Sequence, residues 1–249
     1  MRLALFADVH SNLEAISACL AHARAEGAAR FAFLGDLVGY GADPVAVLEL
    51  VMRLAGEGAA VVCGNHDVAV LAGKSDTMHA AAEEAVAWTR AQLSPGHLAF
   101  LASLPFTIRD GDALLVHASP ELPEEFIYVT DPYRAEKALE AAPPDVRWVF
   151  CGHVHEPVLY YTGAAQRPVP FHPTPGVPIP VPAHRRWLAI VGSAGQPRDG
   201  NTAACYAMMD LARGALTFHR VPYDHGAAAA KIRAAGLPER LAHRLERGE

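Results

Sequence analysis

The sequence predicts an α/β fold built on a largely parallel sheet. Three observations predict it. Short apolar runs alternate with stretches of helical period through the first third of the chain. Helix-start signals stand between those runs. Polar residues of metal-ligand type fall just past the runs, where open α/β sheets hold their ligands. The 249 residues are 51% hydrophobic and 19% charged, an ordinary globular composition that excludes wholesale disorder, a collagen-like repeat and a coiled-coil fibre.

Taken in order, residues 2–7 read as a strand. Ser11-Asn12-Leu13-Glu14 has the spacing of a capping box and opens a helix over 12–26. Residues 30–34 form the next strand. Asp43-Pro44 supplies an N-cap with proline in the first turn, starting a helix that runs to about residue 55. A third strand covers 59–63. Apolar residues recur at helical spacing over 79–92 and 95–103. Residues 105–109 and 113–117 flank the turn Asp110-Gly111-Asp112 and read as a hairpin. A helix over 132–141 and strands over 147–151 and 158–161 follow. Residues 162–184 contain seven prolines in 23 positions, which excludes regular helix and disfavours a central strand. That segment reads as a surface loop, with an ordered flap or a contact between copies as the alternative. Strands return over 188–191, 203–210 and 215–221, the last two as a hairpin around Arg213-Gly214. Residues 224–249 form one or two helices. No repeat or linker divides the chain, so a single domain over 1–249 is expected, with the proline-rich loop at about 162–184 and the C-terminal helices at about 224–249.

The formal net charge of −6 gives no basic footprint for nucleic acid. No apolar run is long enough to span a membrane, and the N-terminal residues read as a buried strand rather than a secretory signal. Cys19, Cys63, Cys151 and Cys205 are widely spaced and form no C-x-x-C pair, which fits a reduced, cytoplasmic chain with buried thiols.

The thirteen histidines carry the functional signal. Five short motifs occur in order: Asp8-x-His10, Gly35-Asp36, Gly64-Asn65-His66-Asp67, His117 and Gly152-His153-x-His155. Each ends or follows a predicted strand. Singly each has an ordinary structural reading: a helix-capping acid, a turn, a core histidine. Together five strand ends deliver Asp8, His10, Asp36, Asn65, His117, His153 and His155 toward one crevice. Glycine precedes three of the groups, which suits tight loops packed around a common centre. The donors are oxygen and nitrogen with no thiolate, a set that suits Mn, Fe, Zn and similar divalent ions. Seven donors exceed the needs of one tetrahedral ion and suit a pair of ions. Such a pair beside two carboxylates leaves local positive charge that attracts a phosphate anion.

The ordered motifs Asp8-Val9-His10, Gly35-Asp36, Gly64-Asn65-His66-Asp67, His117 and Gly152-His153-Val154-His155 resemble the signature of the calcineurin-like metallophosphoesterase family, in particular its small prokaryotic members. The resemblance spans about residues 1–160 by motif. It reaches about 222 by strand pattern and by the loop Gly192-Ser193-Ala194-Gly195-Gln196-Pro197-Arg198. It implies a four-layer αββα sandwich with two mixed sheets and a dinuclear metal site at the strand C-terminal ends. It implies that Asp8, His10, Asp36 and His155 hold one metal. Asp36, Asn65, His117 and His153 would hold the other, so that Asp36 bridges. The implied cofactors are two divalent ions (Mn, Fe, Zn, Ni, Co or Mg, with Mn favoured for activity). The implied reaction is hydrolysis of a phosphodiester or small phosphomonoester by a metal-bridging hydroxide, with His66 assisting the leaving group. Asn12, Tyr40 and Arg198 are candidates for contact with substrate; the alternatives are a helix-start residue, rim packing and a surface turn. Asp67 is read as a helix N-terminal acid. The Ser/Thr protein phosphatases of the superfamily carry Asp-Arg-Gly after their Gly-Asp, whereas here Gly35-Asp36 runs into Leu37-Val38. The partner expected is a phosphate-ester substrate, with no membrane and with homo-oligomerisation left open. The competing readings are a non-catalytic interaction module on the same fold and a metal hydrolase of another class.

Overall fold

The computed structural model describes residues 1–74, 78–162 and 167–249. Among these, twelve strands form two mixed sheets. The first sheet contains β1 (Arg2–Phe6), β2 (Arg30–Leu34), β3 (Ala60–Val62), β9 (Ile179–Pro180), β11 (Ala204–Asp210) and β12 (Ala215–Val221), in the order β3-β2-β1-β11-β12-β9. The second contains β4 (Thr107–Asp110), β5 (Ala113–Val116), β6 (Trp148–Cys151), β7 (Val158–Thr162), β8 (Pro168–Phe171) and β10 (Trp187–Ile190), in the order β4-β5-β6-β10-β7-β8. Strands β1, β2 and β3 run parallel, as do β5, β6 and β10. The remaining pairs are antiparallel.

The period-2 alternation of the strands builds the layers. Leu3, Leu5 and Ala7 point one way, with Phe218 of the same sheet, into an apolar layer shared with Leu115, Phe150 and Ala189 of the facing sheet. Ala4 and Phe6 point the other way, onto helices α1 (Leu13–Ala25) and α2 (Pro44–Gly56) through Ile16, Leu20, Val47 and Leu48. In the second sheet Val149 and Cys151 face outward onto α6 (Pro132–Ala141), where Ala135, Ala138 and Leu139 cover them. The result is helix, sheet, sheet, helix. Both faces of the central strands are covered, which is why they read as unbroken apolar runs. Further helices are α3 (Asn65–Ala72), α4 (Ala80–Gln92), α5 (Pro95–Ser103), α7 (His225–Ala234) and α8 (Glu239–Arg247). None of the described helices is long and apolar enough to cross a membrane.

Two expectations need correction. The capping box at Ser11 does not form. Ser11 sits in a left-handed turn at φ 53°, and its backbone N–H donates to Leu37. Asn12 caps α1 instead, its Oδ1 accepting from Ala15 N–H at 3.1 Å, while Glu14 pairs with Lys231. The proline-rich segment is not loop throughout: it contributes β8 and β9, one at the margin of each sheet. Edge positions tolerate the missing proline N–H. Residues 163–166 of that segment lie outside the described residues. Helix α3, directly after β3, is too short to show a helical period in the sequence.

Candidate metal centre

The strand C-terminal ends of both sheets meet at one rim. The loops after β1, β2 and β3 come from one sheet, and those after β5, β6 and β10 from the other. Backbone bonds lock them together. Asp8 and His10 donate their N–H groups to the carbonyls of Gly35 and Asp36. Gly152 N–H donates to His117, and Gly195 N–H to Asp8. The seven predicted ligand positions converge there. Asp8, His10, Asp36, His117, His153 and His155 are buried, and Asn65 is half-buried.

Backbone strain is concentrated at the same place. Asp8, His10, Asp36, His153 and His155 all have positive φ, between 48° and 69°. Non-glycine residues pay for that conformation, and it persists where surrounding structure fixes it. Glycine is required beside them by contact. A Cβ at Gly152 would stand 2.5 Å from Asp8 Oδ2, and one at Gly64 would strike the Asp36 carboxylate.

The donors form two clusters joined at Asp36. In the first, His10 Nε2 and His155 Nε2 are 3.1 Å apart, His155 Nε2 is 3.3 Å from Asp8 Oδ1, and His10 Nε2 is 3.7 Å from Asp36 Oδ2. In the second, His117 Nε2 lies 3.1 Å from Asn65 Oδ1, 3.1 Å from His153 Nδ1 and 3.4 Å from Asp36 Oδ2. The other ring nitrogens of three histidines are spent on backbone carbonyls: His10 Nδ1 on Val38 (3.2 Å), His117 Nδ1 on Leu34 (2.7 Å) and His155 Nδ1 on Gln196 (2.6 Å). In the neutral rings these bonds assign Nδ1–H as the donor and leave each Nε2 a lone pair aimed at the centre. Lone pairs and carboxylate oxygens facing one another at these distances fit a divalent cation among them. His10 with Asp36 and His66 forms a third close group, so geometry alone also allows His66 as a donor atom.

Electrostatics agrees with that fit. Burial works against charge on Asp36, yet His117, His66 and His10 around it hold its carboxyl well below the usual range. Burial also opposes charge on His117, but the facing Asp36 raises it to about 9. That pair carries a proton where a cation fits. Burial keeps His10 well below an ordinary imidazole, His66 down at about 4 and His153 down at about 3. Neutral imidazole is the form that binds metal.

The flanking candidates fall into distinct places. His66 lies in the first turn of α3, where its N–H donates to Asp36 Oδ1 (2.8 Å). Its ring stands edge-on to His10 at 4.8 Å, with Nδ1 buried and unpartnered. Asp67 does not meet His66. Its carboxylate accepts from Gly64, Leu37 and Val38 N–H groups and so ties α3 to the Asp36 loop. Tyr40 is buried, its ring 4.6 Å from His10 and 4.3 Å from His66. Asn12 is turned to the scaffold: beyond its cap bond, Nδ2 donates to Gly195 O at 2.7 Å and to Tyr223 Oη at 3.2 Å. Arg198 lies over the Tyr40 ring.

Sequence reasoning missed Phe126 and Tyr128. Tyr128 stacks on His153 with ring centres 3.8 Å apart, and Phe126 meets His117 edge-on at 5.8 Å. With Asn65, His66, Met78 and His153 they line a cleft of about 410 Å³ beside the donors. Neither belongs to a motif, and only the fold brings them to the rim.

A calcineurin-like phosphoesterase superfamily domain matches residues 1–214. The chain belongs to that superfamily. An uncharacterized protein of Methanocaldococcus jannaschii, MJ0912, is 33% identical over 248 residues, covering 98% of this chain and 96% of its own. The crystal structure of a metallophosphoesterase from Sphaerobacter thermophilus is 37% identical, with a TM-score of 0.89 over 100% of this chain and 99% of that one. The hypothetical protein PH1004 of Pyrococcus horikoshii has the same fold at 19% identity, with a TM-score of 0.78 over 100% and 98% of the two chains. The four-layer arrangement of a calcineurin-like phosphoesterase is thus the one found here.

Proposed function

We propose that the protein is a metal-dependent hydrolase of phosphoester bonds, acting on phosphodiesters or small phosphomonoesters. The observation that carries this reading is the convergence of seven oxygen and nitrogen donors at the rim of a calcineurin-like phosphoesterase fold. Asp8, His10, Asp36 and His155 would hold one divalent ion, and Asp36, Asn65, His117 and His153 a second. The position of Asp36 Oδ2, between His10 and His117 Nε2, supports a bridging role. When bound, such ions supply a water-derived nucleophile near neutral pH and offset charge on the phosphoryl oxygens. We favour Mn²⁺ as the activating ion.

The chain's own residues set the rest. Nδ1 bonds from His10, His117 and His155 to backbone carbonyls fix the ligand rings before anything binds, so little reorganisation is left for the reaction. His66, at the mouth of the cleft, stabilises the departing ester oxygen through its ring N–H. The aromatic wall of Phe126 and Tyr128 takes the organic part of the ester and keeps water from that side.

The test is a pair of variants in purified protein. Asp36→Asn is expected to lose metal and turnover together. His66→Ala is expected to keep both ions, counted by mass spectrometry, and to lose about 10²–10⁴-fold in kcat. Unchanged turnover in both variants would refute the mechanism. Metal lost from His66→Ala would make His66 a ligand instead.

A further inference from the structure

Around the Tyr40 ring, guanidinium groups gather without acidic partners. Arg198 Cζ lies 5.8 Å from the Tyr40 ring centre and Arg244 Cζ 5.7 Å. Both reach the same neutral acceptor, Gln196 Oε1, at 3.1 and 3.4 Å. Arg198 Nε is buried with no hydrogen-bond partner. Arg240, one helical turn before Arg244 on α8, is close enough for its charge to act on Arg244 and on His79 at the cleft. Among the described residues none of the three has a carboxylate within ion-pair distance. Elsewhere carboxylates are used freely: Arg109, Arg220 and Arg233 each have one. In a chain of net charge −6, like charges held together only by neutral partners, the Gln196 amide oxygen and the Tyr40 side chain, imply that an anion joins them.

The helix carrying two of these arginines is firmly placed. Leu241, Ala242 and Leu245 of α8 pack with Tyr40, Ala82, Ala85 and Ile232. That packing leaves Arg240 exposed and Arg244 half-buried beside the Tyr40 ring. Arg240 and Arg244 lie beyond the stretch matched by the superfamily domain, whereas Arg198 lies within it. The guanidinium pair and the rings of His10 and His66 all lie within 6 Å of the Tyr40 ring centre.

We propose that Arg198 and Arg244, with Arg240 beside them, dock an anionic group of the substrate other than the ester phosphate. Preferred substrates therefore carry a second phosphate, or an equivalent anion, beside the scissile group. The word substrate here rests on the hydrolase reading above; the anion site itself does not.

The test is calorimetric binding to Mn²⁺-refilled protein of thymidine 5′-monophosphate, thymidine 5′-diphosphate and thymidine 3′,5′-bisphosphate. At least one ligand with two phosphate groups is expected to bind about tenfold tighter than the monophosphate. Arg244→Gln is expected to remove most of that preference and Arg244→Lys to retain part of it. Arg240→Gln, an exposed site that leaves the fold untouched, is expected to reduce it. Equal affinities, absence of binding, or a preference that survives both glutamine variants would overturn the proposal, the last by assigning it to the metals. Turnover of bis(p-nitrophenyl) phosphate in the same preparation checks the hydrolase reading separately. A binding preference with no turnover overturns that reading alone, and turnover with no preference overturns this one alone.

Discussion

Replacing Gly152 by alanine tests how tightly the metal centre is built. The added methyl would stand 2.5 Å from Asp8 Oδ2 and nearer still to the Ala7 side chain, whereas ordinary contact begins at 3.4 Å. Asp8 cannot easily retreat. Its carboxylate accepts from His153 N–H at 3.0 and 3.1 Å, and its carbonyl accepts from Ser193 Oγ and Gly195 N–H. The Gly152 backbone has no positive φ, so the effect is steric and nothing else. Overpacking of this kind costs about 1–3 kcal/mol, and a chain of this size loses about 2–4 °C in Tm per kcal/mol. The larger effect is on geometry: moving Asp8 by about 1 Å from His155 is expected to lower kcat/KM about 10²-fold. The assay is metal content by mass spectrometry, a thermal melt and turnover of bis(p-nitrophenyl) phosphate, beside Gly56→Ala as control. Gly56 ends α2 with no atom within 4 Å of its added Cβ, so that variant is expected to be neutral or slightly stabilised. Gly152→Ala protein with the parent's metal content and turnover would refute the reasoning.

Asn12→Ala is expected to destabilise the protein by about 1–2 kcal/mol through loss of the α1 cap, with KM for a phosphate ester within threefold of the parent; a raised KM at unchanged Tm would return Asn12 to the substrate. All four cysteines are buried, and burial pushes their thiols above the ordinary range. They are therefore expected to resist a thiol reagent at pH 8 in native protein and to react fully in denaturant; rapid native labelling of any one would contradict its placement.

The convergence of the seven candidate donors was legible because each sits at a fixed place relative to a strand, and strands buried on both faces announce themselves as apolar runs. Gly64 and Gly152 were legible as places of close approach for the same reason, and each now proves to abut an aspartate carboxylate. What could not be read is whatever depends on distant chain segments meeting. The cap at Asn12 was legible only as the alternative to substrate contact, because the left-handed turn carrying His10 takes up Ser11 first. The strands β8 and β9 were hidden because their pairing needs a sheet edge that exists only after folding. Tyr128 stacks on a histidine 25 positions away, and Arg244 reaches Tyr40 across some 200 residues; no local spacing encodes either contact.

The central claim is that the converged donors make this chain a metal-dependent phosphoester hydrolase. The most direct test is turnover of bis(p-nitrophenyl) phosphate, beside p-nitrophenyl phosphate, by metal-stripped protein refilled with Mn²⁺. Release of p-nitrophenol that vanishes on stripping and returns with metal is the predicted result. Protein that binds the metal and hydrolyses neither ester, or hydrolyses either one equally well when stripped, would contradict it.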